Sequence, residues 1–171
     1  TLPTPEGTTQ IDHIIVSQFG VFVIETKNMK GWIFGGEKQR QWTQVIFKHK
    51  NKFQNPLHQN YKHLKVLQQM LGLTQDQIHS VVVFVGGSRF KVPMPPNVTE
   101  GWGYTQYIKS FKTPVITNEK VSEIISTIES GRLKRSFKTN REHVRNLKET
   151  RKIKRDKSKC PKCGSSMVLR T

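Results

Sequence analysis

Cysteine is nearly absent, with two residues in 171, which excludes a disulfide framework as the source of stability. Acidic residues are scarce as well. Twelve Asp and Glu stand against 29 Lys and Arg, for a formal charge of +17, and a surface that basic points to an anionic partner such as nucleic acid. Long hydrophobic runs are missing: the longest covers residues 81–85 and is followed by two glycines, far short of the roughly 18–20 residues of a membrane helix. The apolar share of 34% lies below the soluble average, so the chain reads as a core plus a solvated extension rather than as wholly disordered. There is no initiating Met and no charged-then-apolar leader pattern before the body of the chain, which reads as an internal or trimmed piece of a cytoplasmic protein. The length suits one compact domain.

The positive charge is concentrated. Residues 132–159 hold 13 Lys and Arg against three acids, a net +10 in 28 residues, whereas residues 1–131 carry only +5. Arg141, Arg145, Lys148, Arg151, Lys152 and Arg155 recur at spacings of three and four, which lines them up as a stripe along a helix. Thr139-Asn140-Arg141-Glu142 is a capping box that would open that helix. Such a stripe suits a phosphate backbone, with sequence-independent affinity from released counterions. A solvated basic helix without a ligand is the plain alternative.

The first ten residues, with Pro3, Pro5 and Gly7, read as loop. Residues 11–17 and 21–27 are β-branched runs around Gln18-Phe19-Gly20, a hairpin with glycine in its turn. Residues 32–34, after Gly31, and residues 41–48 extend this to a meander of up to four strands. Asn55-Pro56 is an N-cap with proline at the first helical position, and Leu57, Tyr61, Leu64, Leu67 and Leu71 keep helical period until Gly72, predicting a helix over Pro56–Leu71. Residues 80–85 form a continuous apolar run of strand length, the pattern of a buried central strand added beside the meander after the helix. Gly86-Gly87-Ser88 lacks the lysine of a phosphate loop and reads as a turn. Pro93, Pro95 and Pro96 mark a loop, and Asn118 caps a second helix that stops at Gly131. Trp32, Trp42 and Trp102 suit core or rim packing more readily than base stacking.

Asp12 falls in the first strand, and Glu25 and Lys27 end the second. With a two- or four-residue hairpin loop, Asp12 faces Glu25. Opposed carboxylates lie about 4.5–5.5 Å apart at Cβ and repel unless a cation sits between them. Glu25 and Lys27 share a face because a strand alternates with period two, so two carboxylates and an ammonium converge at one strand end. Oxygen donors of this hardness suit Mg²⁺ or Mn²⁺, which can hold a phosphate, acidify a water and stabilise a leaving oxygen, with Lys27 positioning the water. A structural Glu25–Lys27 ion pair beside an exposed Asp12 fits the same spacing. His13 points to the opposite face and reads as a packing residue.

The run Thr9-Gln10-Ile11-Asp12-His13-Ile14-Ile15-Val16-Ser17, then Gly20-Val21-Phe22-Val23-Ile24-Glu25-Thr26-Lys27-Asn28, Gly31, Trp42 and Asn55-Pro56-Leu57-His58-Gln59 with His63 and Leu64, closely resembles NERD, the nuclease-related domain family, over roughly residues 7–130. The resemblance implies a PD-(D/E)xK nuclease-like core, with Asp12, Glu25 and Lys27 at the positions of the acidic metal ligands and the lysine. It also implies that Gln59 matches a helical glutamine beside the site. Gln59 and His63 share one helix face. Family members carry a helix with a glutamate before the first strand, and this chain starts too late to include it; Glu6, in a Pro/Gly loop, is a poor substitute, so the metal site is expected to be incomplete.

Cys160-Pro161-Lys162-Cys163-Gly164, followed by Met167-Val168-Leu169-Arg170, is similar to the first half of the C4 zinc finger at the tail of bacterial type I topoisomerases. A tetrahedral zinc needs four ligands, so the pair reads as half a site for Zn²⁺ in the intact protein, with a redox dithiol or a plain exposed pair as alternatives. The expectation is therefore an α/β chain: a nuclease-like domain over residues 1–131 with a mixed central sheet flanked by helices, a basic helical extension over 132–159, and a zinc-knuckle fragment over 160–171. Its expected function is Mg²⁺- or Mn²⁺-dependent cleavage of phosphodiester bonds in nucleic acid, DNA first and RNA second. The alternative is a binding or recruiting module on a nuclease-like fold that has lost turnover, and divalent-metal dependence separates the two.

Overall fold

The structure, a computed structural model, describes residues 1–4, 7–131 and 145. The chain divides into two units, one formed by Thr1–Gln10 with Gly131–Thr171 and the other by Ile11–Ser130. In the first unit, β1 (Leu2–Thr4) and β2 (Gly7–Thr9) form an antiparallel hairpin with Leu2 level with Thr9. This corrects the expected loop: a proline is tolerated in an isolated two-stranded ribbon, where its missing N–H can face outward. Of the basic extension only Arg145 is described, helical and exposed. The expected capping box at Thr139, the rest of the basic stripe, the cysteine pair and Glu6 lie outside the described residues.

The second unit is mixed α/β. In chain order it contains β3 (His13–Ser17), β4 (Gly20–Asn28), β5 (Gly31–Phe34), β6 (Gln41–Ile46), β7 (His49–Gln54), α1 (Pro56–Leu71), a 3-10 turn (Gln75–Gln77), β8 (Ile78–Val85), β9 (Ser88–Phe90), β10 (Val98–Glu100), α2 (Gly103–Lys109) and α3 (Asn118–Gly131). Two four-stranded mixed sheets result, ordered β10-β8-β4-β3 and β7-β6-β5-β9. β4, β8 and β10 run parallel, and β3 closes the first sheet antiparallel. The expected meander is thus five strands split between two sheets. β7 escapes a sequence reading because His49-Lys50-Asn51-Lys52-Phe53-Gln54 has no β-branched residue and, as an edge strand, needs none.

The continuous apolar run of β8 follows from burial on both faces. Val81 and Val83 pack with Phe22 and Ile24 beneath Tyr104, Tyr107 and Ile108 of α2 and Phe111 just after it. Val82 and Phe84 turn the other way, onto Ile33 and Trp42 of the second sheet and Leu57 of α1. Trp42 lies stacked on Phe84, with ring centroids 6.0 Å apart. The hairpin turn between β3 and β4 is Gln18-Phe19, after which Gly20 takes φ 128°; a Cβ there would sit 2.8 Å from the His79 ring. Helix α1 begins and ends as its sequence predicts, with the Asn55 side chain accepting from the Leu57 N–H, Pro56 in the first turn and Gly72 left-handed at its C-cap. Gly86 and Gly87 make the expected turn after β8, both with positive φ. At α3 the Lys120 N–H bonds the Thr117 hydroxyl, one residue earlier than the expected Asn118 cap. Among the described residues no helix is long and apolar enough to cross a membrane.

One turn carries a misfit residue. β6 and β7 are joined by Phe47-Lys48, and Phe47 adopts φ 52° with its side chain 96% exposed. A non-glycine residue there costs about 1 kcal/mol, and the exposed ring recovers nothing through burial. Phe47→Gly is expected to raise stability by about 1 kcal/mol, seen as a melting temperature about 2–4 °C higher; a lower melting temperature would show that the ring makes a stabilising contact.

Candidate active site

Glu25 sits in the C-terminal half of β4, level with Val82 of β8, and is only 4% exposed. A carboxylate that deeply placed needs partners, and two side chains reach it, Lys27 and His63. Lys27, two residues on and therefore on the same face, brings Nζ to 2.6 Å from Glu25 Oε1. The same ammonium donates to Gln59 Oε1 at 2.9 Å. His63 Nε2 stands 3.6 Å from the second oxygen, Oε2, long for a hydrogen bond but close enough for an ion pair when the ring is protonated. Burial alone would raise the Glu25 pKa; the imidazole of His63 and the ammonium of Lys27 outweigh it and hold the carboxyl below its ordinary value.

Gln59 and His63 are one turn apart on α1, so a single helix face supplies both. That helix is pinned to the sheet by Asn60, fully buried, whose Nδ2 donates to Val23 O at 2.8 Å, Ser80 Oγ at 2.9 Å and Val81 O at 3.1 Å. Three acceptors around one nitrogen also fix which way the amide points. The N-terminus of α1 is held by Asn55, which binds the carbonyls of Gly36, Glu37 and Gln39. The site thus rests on a central strand and an anchored helix.

Asp12 is placed differently from the sequence expectation. The β3–β4 register, with His13 level with Ile24, carries it to the height of Glu25, as a two-residue loop requires. It lies at a bend just before β3 rather than within the strand, however, and is exposed. Its Oδ2 accepts a 2.8 Å hydrogen bond from the Thr26 N–H, so the side chain stands against the strand where the β3 backbone pairing has ended. His13 is exposed at the start of β3 rather than packed. Of the tryptophans, Trp42 is in the core, whereas Trp32 and Trp102 are 51% and 80% exposed.

Glu25 and Gln59 are therefore both brought into contact with Lys27, with Asp12 alongside on the neighbouring chain segment. Arg141, Lys148, Arg151, Lys152, Arg155, Cys160 and Cys163 fall outside the described residues. Helical spacing puts His63 on the face of Gln59 without giving it a role, and it misses Asn60. The signal is present: residues 56, 60, 63, 67 and 71 are the buried stripe of α1, with two polar residues in a helical period that otherwise reads as core. Among the described residues no group of three or more His, Cys, Asp and Glu converges as a metal cage; the acidic donors at this strand end are two carboxylates. Chemically, the cluster offers an ionised carboxylate, a fixed ammonium and an amide at the end of parallel strands.

No solved structure matches this chain. An uncharacterized protein of Bacillus anthracis is 40% identical over 124 residues, covering 71% of this chain. The chain spans 58% of that relative's length, less than two thirds of it. Residues 1–85, which contain Asp12, Glu25, Lys27 and Gln59, match the family model of NERD, the nuclease-related domain.

Proposed function

We propose that the chain is a divalent-metal-dependent nuclease that hydrolyses phosphodiester bonds of nucleic acid, with DNA as its substrate. The observation that carries this reading is the clamp on Lys27, whose ammonium is held between Glu25 and Gln59 at a strand end within the NERD match. A lysine kept solely as a surface charge would have no need of a buried carboxylate and a helix amide to aim it.

The donor set fits Mg²⁺ or Mn²⁺. Glu25 is kept ionised by its neighbours and Asp12 is level with it, and Mg²⁺ is commonly held by one or two carboxylates with waters and substrate phosphate completing its shell. Asp12 and Glu25 would hold the ion, which when bound neutralises phosphate charge and acidifies water. Lys27 orients the attacking water and meets the charge that develops on the phosphate oxygens. Gln59 holds the ammonium in place, and His63 supports the far oxygen of Glu25. Arg141, Arg145, Lys148, Arg151, Lys152 and Arg155 would add affinity that is indifferent to base sequence. In this reading the catalytic domain spans residues 1–131, the basic extension 132–159, and Cys160 and Cys163 are half of a Zn²⁺ site.

The test is incubation with linear, circular and single-stranded DNA in Mg²⁺, in Mn²⁺ and in EDTA. Cutting in either metal and none in EDTA is the expected result. A chain that binds DNA equally well in EDTA and cuts it under no condition is instead a binding or recruiting module. The engagement of Glu25 by the Lys27 ammonium, with the His63 ring beside its other oxygen, favours that second reading, because an ion must compete with them.

A further inference from the structure

We propose that the outward face of the β7-β6-β5-β9 sheet is a docking surface for single-stranded nucleic acid. The inward face carries Ile33, Trp42, Phe53 and Phe90, which pack into the core. Strand alternation turns the residues between them the other way. In register across the sheet lie Lys50, Val45, Trp32 and Arg89, and in the next row Lys52, Thr43 and Phe34. Trp32 is 51% exposed in the middle of this face, and Lys91, just after β9, holds its ammonium 4.5 Å from the Trp32 ring centroid.

Charge decides what this face takes. None of the four strands contains an acidic residue, while Lys50, Lys52, Arg89 and Lys91 are all exposed. Arg89 is paired with Glu100; among the described residues no ion pair engages Lys50, Lys52 or Lys91. The turn joining β6 and β7 adds the exposed Phe47 and Lys48. Lysines on edge strands are a common guard against sheet-to-sheet pairing, which accounts for the cations of β7 and β9. It does not account for an exposed tryptophan on the interior strand β5, flanked by cations on both sides. Cations that track phosphates, set around an aromatic ring on which a base stacks, are what single strands recognise; in a duplex the base faces are already stacked on each other.

The proposal rests on the nucleic-acid reading above but not on turnover. Binding is measured in EDTA on the full chain, so a protein that never cuts can still bear it out and one that cuts can still refute it. The probes are a labelled oligothymidylate and a labelled duplex, followed by anisotropy across a salt series and by tryptophan quenching. Lys50→Glu with Lys52→Glu is expected to weaken oligothymidylate binding roughly tenfold and to reduce the salt slope by about 1.4. Trp32→Ala is expected to weaken it by roughly tenfold and to remove most of the quenching, whereas Trp32→Phe keeps most of the affinity. The loss on the duplex should be smaller for Trp32→Ala. If Trp32→Ala lowers the melting temperature severely, the exposed lysine pair and quenching in the parent protein decide the matter. Unchanged affinity and salt slope in the lysine double variant, or equal losses on duplex and single strand with no quenching, would overturn the proposal.

Discussion

Lys27→Met is expected to reduce metal-dependent DNA cleavage by about 10²–10³-fold, the loss found when one preorganised electrostatic donor is removed, and to lower stability by about 1–3 kcal/mol. The second effect arises because methionine leaves the 4%-exposed Glu25 without its 2.6 Å partner. Adding Glu25→Gln should recover part of the stability, since the buried charge is then gone, while cleavage stays lost. Asp12→Asn behaves differently: Asp12 is exposed, and an amide oxygen can still accept from the Thr26 N–H. Its stability should change little while cleavage disappears. The opposed carboxylates read from the sequence would make the Glu25 amide neutral or stabilising by itself; with Lys27 and His63 on the carboxylate, the single Glu25→Gln change should instead destabilise. Thermal melts with plasmid cleavage in Mg²⁺ check all four variants. Lys27→Met that cuts like the parent would reduce the cluster to a structural ion pair.

Asn55→Ala should cost about 2–4 kcal/mol, the largest stability loss expected outside the apolar core. The side chain is fully buried and makes four hydrogen bonds, capping α1 through the Leu57 N–H and tying down the carbonyls of Gly36, Glu37 and Gln39. Alanine loses a cap worth about 1 kcal/mol and strands carbonyls at about 1–3 kcal/mol in total. Asn55→Asp is the sharper test. It preserves the capping oxygen but sets a carboxylate oxygen against three carbonyls, so it should be at least as destabilising as alanine. Chemical denaturation reads both. An aspartate variant as stable as the parent would show that the cap alone matters and the loop carbonyls find water instead.

Local chemistry is legible in short stretches of the sequence. Asn55-Pro56 and Gly72 bound α1 because capping and left-handed termination act within one turn. Glycine after Gln18-Phe19 sets the β3–β4 register, and with it the level of Asp12 against Glu25. Two-residue alternation places Lys27 beside Glu25. The resemblance to NERD points to Gln59, and the fold brings it to Lys27.

What only the tertiary structure decided depends on which surfaces meet. The stripe of Leu57, Tyr61 and Leu64 reads as the buried face of α1, yet Tyr61 is 57% exposed and the helix is turned so that Asn60 and His63 face the sheet. Hydrophobicity counts side chains one at a time, whereas the strand backbone at Val23 and Val81 offers acceptors that a buried amide satisfies. β7 carries no apolar alternation because it pairs on one edge only, and its strand identity comes from β6 beside it. Asp12 is expected inside a strand but ends at a bend, since its side chain bonds Thr26 where the backbone ladder stops. Residue types at short spacing determined the ingredients of the site, and long-range pairing of strands and helix decided which ingredients touch, because contacts across 32 residues, such as Lys27 to Gln59, exist only once the sheet and α1 have packed together.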